Sequence, residues 1–341
     1  MTRNKKVFLL LPLLFAGALF VGCQKQSAEE AQKQTVKVGY FPNITHAQAL
    51  VGVENGAFQE KLGSDVEIKA ITFNSGTTEI EALFAGEIDL GYIGPSPAIN
   101  GYVKSNGESL RVISGAVSGG AVLVGQSDLA EAFAKDGAQA LANKKIASPS
   151  QGNTQDISLR NYIKENNLEG KVEIIPMENA DQLTAFSQKE LDGCWVPEPW
   201  GTRLITEAGG KLMIDERDLW PNGKFITTNI IASKAFLDQH PDLVKKWLEA
   251  NLEVTTWIND NPQEAQKIVN SEIERLTTKK IADDVLAKSW KRIDLSVNPL
   301  KDSLYAFGDR AYEQGFLGDT KPDLSNIYDL TILNEITGKK Y

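Results

Sequence analysis

Cysteine, histidine and methionine are almost missing from these 341 residues, which hold two, two and three of them. The histidines, His46 and His240, lie far apart, and no Cys/His cluster has metal-ligand spacing, which argues against a zinc site. The GxSxG, HExxH and P-loop patterns are absent, so common hydrolase and nucleotide motifs find no support. Net positive charge is lacking too: 36 Lys and Arg face 45 Asp and Glu, for a formal charge of −9. That balance argues against nucleic acid and against an electrostatic grip on anionic lipid. Only one long apolar run occurs, at residues 7–21.

That run follows Arg3, Lys5 and Lys6, and residues 1–22 read as a secretory signal peptide. It is shorter than the ~20 apolar residues a membrane-spanning helix needs. Its end, Leu19-Phe20-Val21-Gly22-Cys23, resembles the lipobox of bacterial lipoproteins. The resemblance implies that Cys23 is lipidated and becomes the mature N-terminus, although Phe20 departs from the usual Leu, Val or Ile. Loss of residues 1–22 moves the formal charge from −9 to −12, because three cations leave and no acid does. With Cys23 lipidated only Cys194 remains, so no intramolecular disulfide can form and stability must come from buried cores. Residues 23–34 are polar, lack apolar periodicity and read as a disordered tether. A body of about 305 residues then has the size that divides into two lobes. The expected location is the cell envelope, on the outer face of the cytoplasmic membrane or in the periplasm.

From Thr35 onward short β-branched runs alternate with helical stretches, an α/β signature. Strands are expected at 36–40, 66–73 and 89–93, with helices from about His46 to Glu54 and from the Ser75-Gly76-Thr77-Thr78 turn to Ala85. Gly94-Pro95-Ser96-Pro97 leads into a further helix. The stretch 112–124, broken by Ser118-Gly119-Gly120, reads as a strand crossing between lobes. The order then recurs: strands at 145–147, 172–176 and 193–196, and helices from the 148–154 loop to about 165 and over about 181–189. An offset of 103 pairs Glu87-Ile88-Asp89 with Glu190-Leu191-Asp192, and Thr78-Glu79-Ile80 with Asp181-Gln182-Leu183. This points to a repeated strand–loop–helix unit. Residues 225–233 read as the return crossing, and helices follow near 242–259, 262–271, 278–290 and 300–315. Val244, Trp247, Leu248 and Leu252 mark one buried face, and Trp257 reads as core.

Loops of small polar residues follow several strands and open helices. They hold Asn43, Thr45 and His46, then Ser75 and Gly76, then Gly94 and Ser96, then Gln151, Asn153 and Thr154. Ligands of open parallel sheets collect outside the strands' carboxyl ends, where helix N-termini and hydroxyls suit an anion. Micromolar binding needs about 8 kcal/mol against ~0.3–1 from one exposed helix end, so several loops must converge. Each loop alone also reads as ordinary N-capping. His46 is read as a polar wall of the cleft, with a first-turn helix residue as the alternative; His240, before Pro241, reads as surface. In Trp195-Val196-Pro197-Glu198-Pro199-Trp200, Trp195 reads as cleft wall, Pro199 as the first helical residue and Glu198 as a cap or hinge.

The segments GYFPNITHAQA, FNSGTTEIEALFAGEIDLGYIGPSPA and ELDGCWVPEPW resemble the substrate-binding lipoproteins of bacterial ABC importers for nitrate, sulfonates, taurine and related compounds. The resemblance implies a type II periplasmic-binding-protein fold, two α/β lobes with a ligand cleft between them. It implies lobe 1 over 35–117 and 226–341, and lobe 2 over 118–225. The implied ligand contacts are the loop residues named above, Ser118 and Gly119 on the crossing strand, Trp195 and Glu198 on the far wall, and Thr228 near the return crossing. The partners implied are a small solute and the permease and ATPase subunits of an importer. The chain would act as a monomer with a lipid anchor, and with no cofactor, metal or catalytic residue. None of these positions is an arginine and Glu198 is acidic, which weighs against a strongly charged ligand. A receptor for a thiamine-pyrimidine precursor or other small heterocycle is the alternative. A pyrimidine-synthase-like enzyme of the same fold lacks support, because such relatives carry a cysteine-rich motif.

Overall fold

The computed structural model describes residues 33–341. The expected signal peptide, Cys23 and the tether up to residue 32 lie outside the described residues. The first strand, β1 (Gln34–Tyr40), begins one residue inside the expected tether. It is followed by a 3-10 turn (Ile44–His46), α1 (Ala47–Glu54), α2 (Ala57–Leu62), β2 (Val66–Thr72), α3 (Gly76–Phe84), β3 (Leu90–Ile93), α4 (Pro95–Lys104) and β4 (Leu110–Gly119). The second run comprises β5 (Ala121–Gly125), α5 (Ser127–Asp136), β6 (Lys145–Ser148), α6 (Thr154–Glu165), β7 (Glu173–Pro176), α7 (Asn179–Ser187), β8 (Gly193–Pro197), α8 (Trp200–Glu207) and β9 (Lys211–Asp215). Then come β10 (Ile226–Ser233), α9 (Lys234–Gln239), α10 (Pro241–Asp260), α11 (Pro262–Thr277), α12 (Asp283–Trp290), β11 (Ile293–Leu295), α13 (Lys301–Glu313) and α14 (Thr331–Thr337).

These strands build two sheets, in the orders β11-β4-β10-β3-β1-β2 and β7-β6-β8-β5-β9. The two-lobed α/β fold is thus present. In each sheet three strands run parallel (β2, β1, β3 and β7, β6, β8), and an antiparallel strand that has just crossed from the other sheet (β10 or β5) joins them. The chain crosses at Gly119 and Gly120, both with φ of 75°, a left-handed backbone that glycine adopts without strain. No Cβ fits there: at Gly120 it would stand 2.5 Å from Ile293 Cγ2.

The helix α10 shows how the core is made. Pro241 opens it, and Val244, Trp247, Leu248, Val254 and Ile258 are buried along one face, while Leu252 and Trp257 are only half-buried. Trp247 stacks on Phe58 at 3.9 Å between centroids and donates its indole N–H to the Tyr92 hydroxyl at 3.3 Å. Each large apolar side chain buried this way contributes about 1.5–3 kcal/mol. Apolar packing also bridges the sheets, since Ile157 of α6 lies in one cluster with Ile99, Phe225 and Phe307. Among the described residues no helix is long and apolar enough to cross a membrane.

Candidate functional site

The carboxyl ends of β1, β3, β6 and β8 converge on a narrow recess of about 40 Å³. The chain after β1 brings Phe41, Asn43, Thr45 and His46, because the 3-10 turn folds these residues back over the sheet. Asn74 follows β2, Gly94 and Pro97 open α4, and Thr227 and Thr228 lie on β10. From the second sheet come Pro149, Asn153, Thr154 and Gln155 around the start of α6, Asn179 at the start of α7, and Pro197 ending β8.

None of these side chains carries a formal charge at neutral pH. His46 is buried, and desolvation lowers its pKa to about 3, so the imidazole stays neutral. Its Nδ1 accepts the Phe41 backbone N–H at 3.3 Å, which leaves the ring proton on Nε2 as a donor. The ring stacks on Phe41 at 4.5 Å. The first turns of α4 and α6 meet across the gap, where the Ser96 N–H reaches Thr154 Oγ1 at 3.5 Å. A Cβ on Gly94 would stand 2.6 Å from that hydroxyl, although the Gly94 backbone (φ −66°, ψ 155°) suits any residue. Glycine is required here by the approach of the other sheet's helix, not by the turn. Asn43 Oδ1 and Asn179 Oδ1 have no partner among the described residues, and rotating either amide exchanges acceptor for donor without changing its shape. Hydroxyls, an imidazole N–H, amides and two helix N-termini can hold an oxyanion or a small polar solute.

Of the residues expected from sequence, Asn43, Thr45, His46, Gly94, Asn153, Thr154 and Thr228 line this recess. The others do not. Ser75 caps α3, accepting the Thr78 N–H at 3.4 Å, and Gly76 packs against Pro97. Ser96 is fully buried one residue into α4, and Ser118 is buried on β4, each with a hydroxyl lacking a partner among the described residues. Gly119 offers its carbonyl to the Thr227 hydroxyl. Gln151 faces an outer groove with Phe84 and Phe316.

Trp195 lies in the core of the second sheet, where its indole N–H donates to Glu216 Oε2 at 2.8 Å. Buried Glu216 also accepts from Ser158 Oγ (2.6 Å) and Trp220 Nε1 (3.2 Å); burial pushes its carboxyl pKa up against these donors. Glu198 does not line the recess either. Its carboxylate takes the Thr202 backbone N–H at 3.0 Å, capping α8, and Arg292 Nη1 at 2.9 Å. Arg292 precedes β11 of the first sheet, so this ion pair links the two halves. Burial raises the Glu198 pKa, while Thr202 and Arg292 act to lower it. Pro199 is the N-cap of α8 rather than its first residue. His240 is half-buried, with the Gln34 amide 2.8 Å from its Nδ1.

Sequence reasoning missed Phe41, Asn74, Pro97, Pro149, Gln155, Asn179, Pro197 and Thr227. Asn179 had a legible signal, since it opens the helix that repeats α3. The prolines and Phe41 had none, being apolar residues in loops (Phe41, Pro149) or at the ends of elements (Pro97 in α4, Pro197 in β8). Among the described residues no group of three or more His, Cys, Asp or Glu is placed to hold a metal ion.

The chain is 21% identical over 336 residues, 97% of its length and 96% of the relative's, to a Bacillus subtilis protein named for binding aliphatic sulfonates. Its fold matches that of a Staphylococcus aureus ligand-binding component of an ABC-type import system, solved with zinc bound. The TM-score is 0.71 at 20% identity, with 89% of this chain and 99% of that one covered. It matches equally the alkanesulfonate-binding protein of Xanthomonas axonopodis pv. citri bound to MOPS, with a TM-score of 0.71 at 15% identity, covering 88% and 99%. The architecture is that of the solute-binding components of ABC importers. With residues 29–272 matching its family model, the chain belongs to the NMT1-like family.

Proposed function

We infer that this chain is the extracytoplasmic receptor of an ABC importer and captures a small anion of the sulfonate type in the recess between its two sheets. One observation carries the reading: neutral donors from both sheets, Thr45 and His46 on one side and Thr154 on the other, line the same narrow space between the sheets. Hydrogen bonds to a charged group are worth about 1.5–3 kcal/mol each, so a few of them approach a useful affinity without an arginine. The recess has room for about three waters, which fits a sulfonate or nitrate head. The sulfonate names of the relatives support the same class.

The lobes 35–117 with 226–341, and 118–225, would close on the solute by bending near Gly119 and Gly120. The closed monomer would then deliver its cargo to the permease and ATPase partners while tethered through lipidated Cys23. The second reading, a neutral heterocycle, is favoured by the lack of any cation in the recess. A thermal-shift panel on residues 24–341 with methanesulfonate, taurine, nitrate, bicarbonate and an aminopyrimidine separates them. A ligand at 100 times its Kd stabilises by about 2.7 kcal/mol, a visible rise in Tm. A response to methanesulfonate or taurine is expected. Response to the pyrimidine alone would favour the second reading, and silence across the panel would sink both.

A further inference from the structure

Beyond the recess the gap between the sheets widens into a vestibule of about 490 Å³, which shares Phe41, Asn43, Asn74 and Asn179 with the recess. The two spaces differ in character. The vestibule has aromatic walls on both sides, Phe41 and Phe73 from the first sheet's loops and Trp200 from the start of α8. The Arg203 guanidinium, which also lines the vestibule, lies 4.7 Å from the Trp200 ring centre and pairs with Glu207 at 2.9 and 3.0 Å. Pockets of roughly 300–1,000 Å³ are the size that buries an organic molecule; beside the aromatic rings this one is also lined by Glu178, Lys279 and Lys280. A solute that is only a head group would fill the recess and leave water against the aromatic walls.

Resting on the sulfonate-receptor reading, the geometry points to a longer solute: an anionic head in the recess joined to a planar aromatic body in the vestibule, as in an arylsulfonate. Trp200 and Phe73 are then the residues that select the body, while Thr45, His46 and Thr154 hold the head. Flat rings favour flat partners in offset or edge-on contact, and burial of the ring adds to this.

The test is calorimetry with benzenesulfonate and methanesulfonate, which share the head and differ in the body. The wild-type chain is expected to bind benzenesulfonate about tenfold tighter or more. Trp200→Ala and Phe73→Ala should each shrink that ratio to about threefold or less while leaving the methanesulfonate Kd unchanged, which also shows that the variants fold. Equal wild-type affinities, or a ratio that survives both substitutions, would overturn the assignment. So would loss of methanesulfonate binding in both variants, because these side chains would then govern closure rather than the body. If neither sulfonate binds the wild-type chain, the receptor reading fails as well, a result distinct from equal binding of the two.

Discussion

At the scale of single residues, a few acids, Glu79, Glu198 and Glu216 among them, lie where water is excluded and are compensated to different degrees. Glu216 and Glu198 are met by donors, but Glu79 is not: both its oxygens are buried and have no partner among the described residues. Its carboxyl sits over Gly39 and Gly91, where a Cβ would stand 2.7 and 2.6 Å from Oε1. Burial raises its pKa well above the ordinary glutamate value, so the folded chain holds a proton that the unfolded chain releases. Stability from this group is therefore full below the ordinary glutamate pKa and declines as pH rises toward the folded value. Glu79→Gln should match the wild type near about pH 4 and exceed it in Tm by a margin that grows toward about pH 8. A pH-independent gap in melting scans would contradict this. The sequence offers a hint, because the residue 103 positions on is Gln182, the neutral isostere, also buried. By contrast nothing local announced the partner of Trp195. Its indole N–H requires an acceptor once buried, and Glu216 lies 21 residues away on a 3-10 turn that no periodicity marks.

At the scale of elements, the repeat was legible because it carries hydrogen bonds as well as composition. Asp89 Oδ2 accepts the Lys37 backbone N–H at 2.8 Å, and Asp192 Oδ2 accepts that of Lys145 at 2.8 Å, so the paired Glu-x-Asp segments do the same work in both sheets. Strand and helix positions followed from such patterns for most of the longer elements that bury a face. Of the elements left unread, α5 buries only Leu129, β9 only Ile214 and α14 only Leu333, while α2, α9 and β11 are six residues long or shorter, too few positions to set a period. The facing of α4 and α6 was likewise invisible, since it joins residues 58 apart. It gives a prediction. Gly94→Ala should press a methyl group against Thr154, oppose the closed arrangement and weaken methanesulfonate binding by about tenfold or more. Calorimetry on the variant checks this, with circular dichroism to show an intact fold; wild-type affinity would mean that the two helices do not need this approach.

At the scale of the whole molecule, two sheets of matching strand order exchange one strand each, so the crossings lie between them and the recess lies where the parallel strands end. That general location followed from strand order and loop composition. The choice of lining residues did not, because capping serines, threonines and asparagines look alike in sequence whether they face a solute or the helix they begin. Ser75 and Asn153 both cap helices, yet only Asn153 reaches the recess. The central claim is that donors from both sheets hold one solute. Its most direct test is calorimetric titration of methanesulfonate into the wild-type chain, Thr45→Val, Thr154→Val and the double variant. Each single change is predicted to weaken binding by about tenfold, the net worth of a hydrogen bond to a charged group, and the double change by more. Wild-type affinity in either single variant would contradict capture between the two sheets.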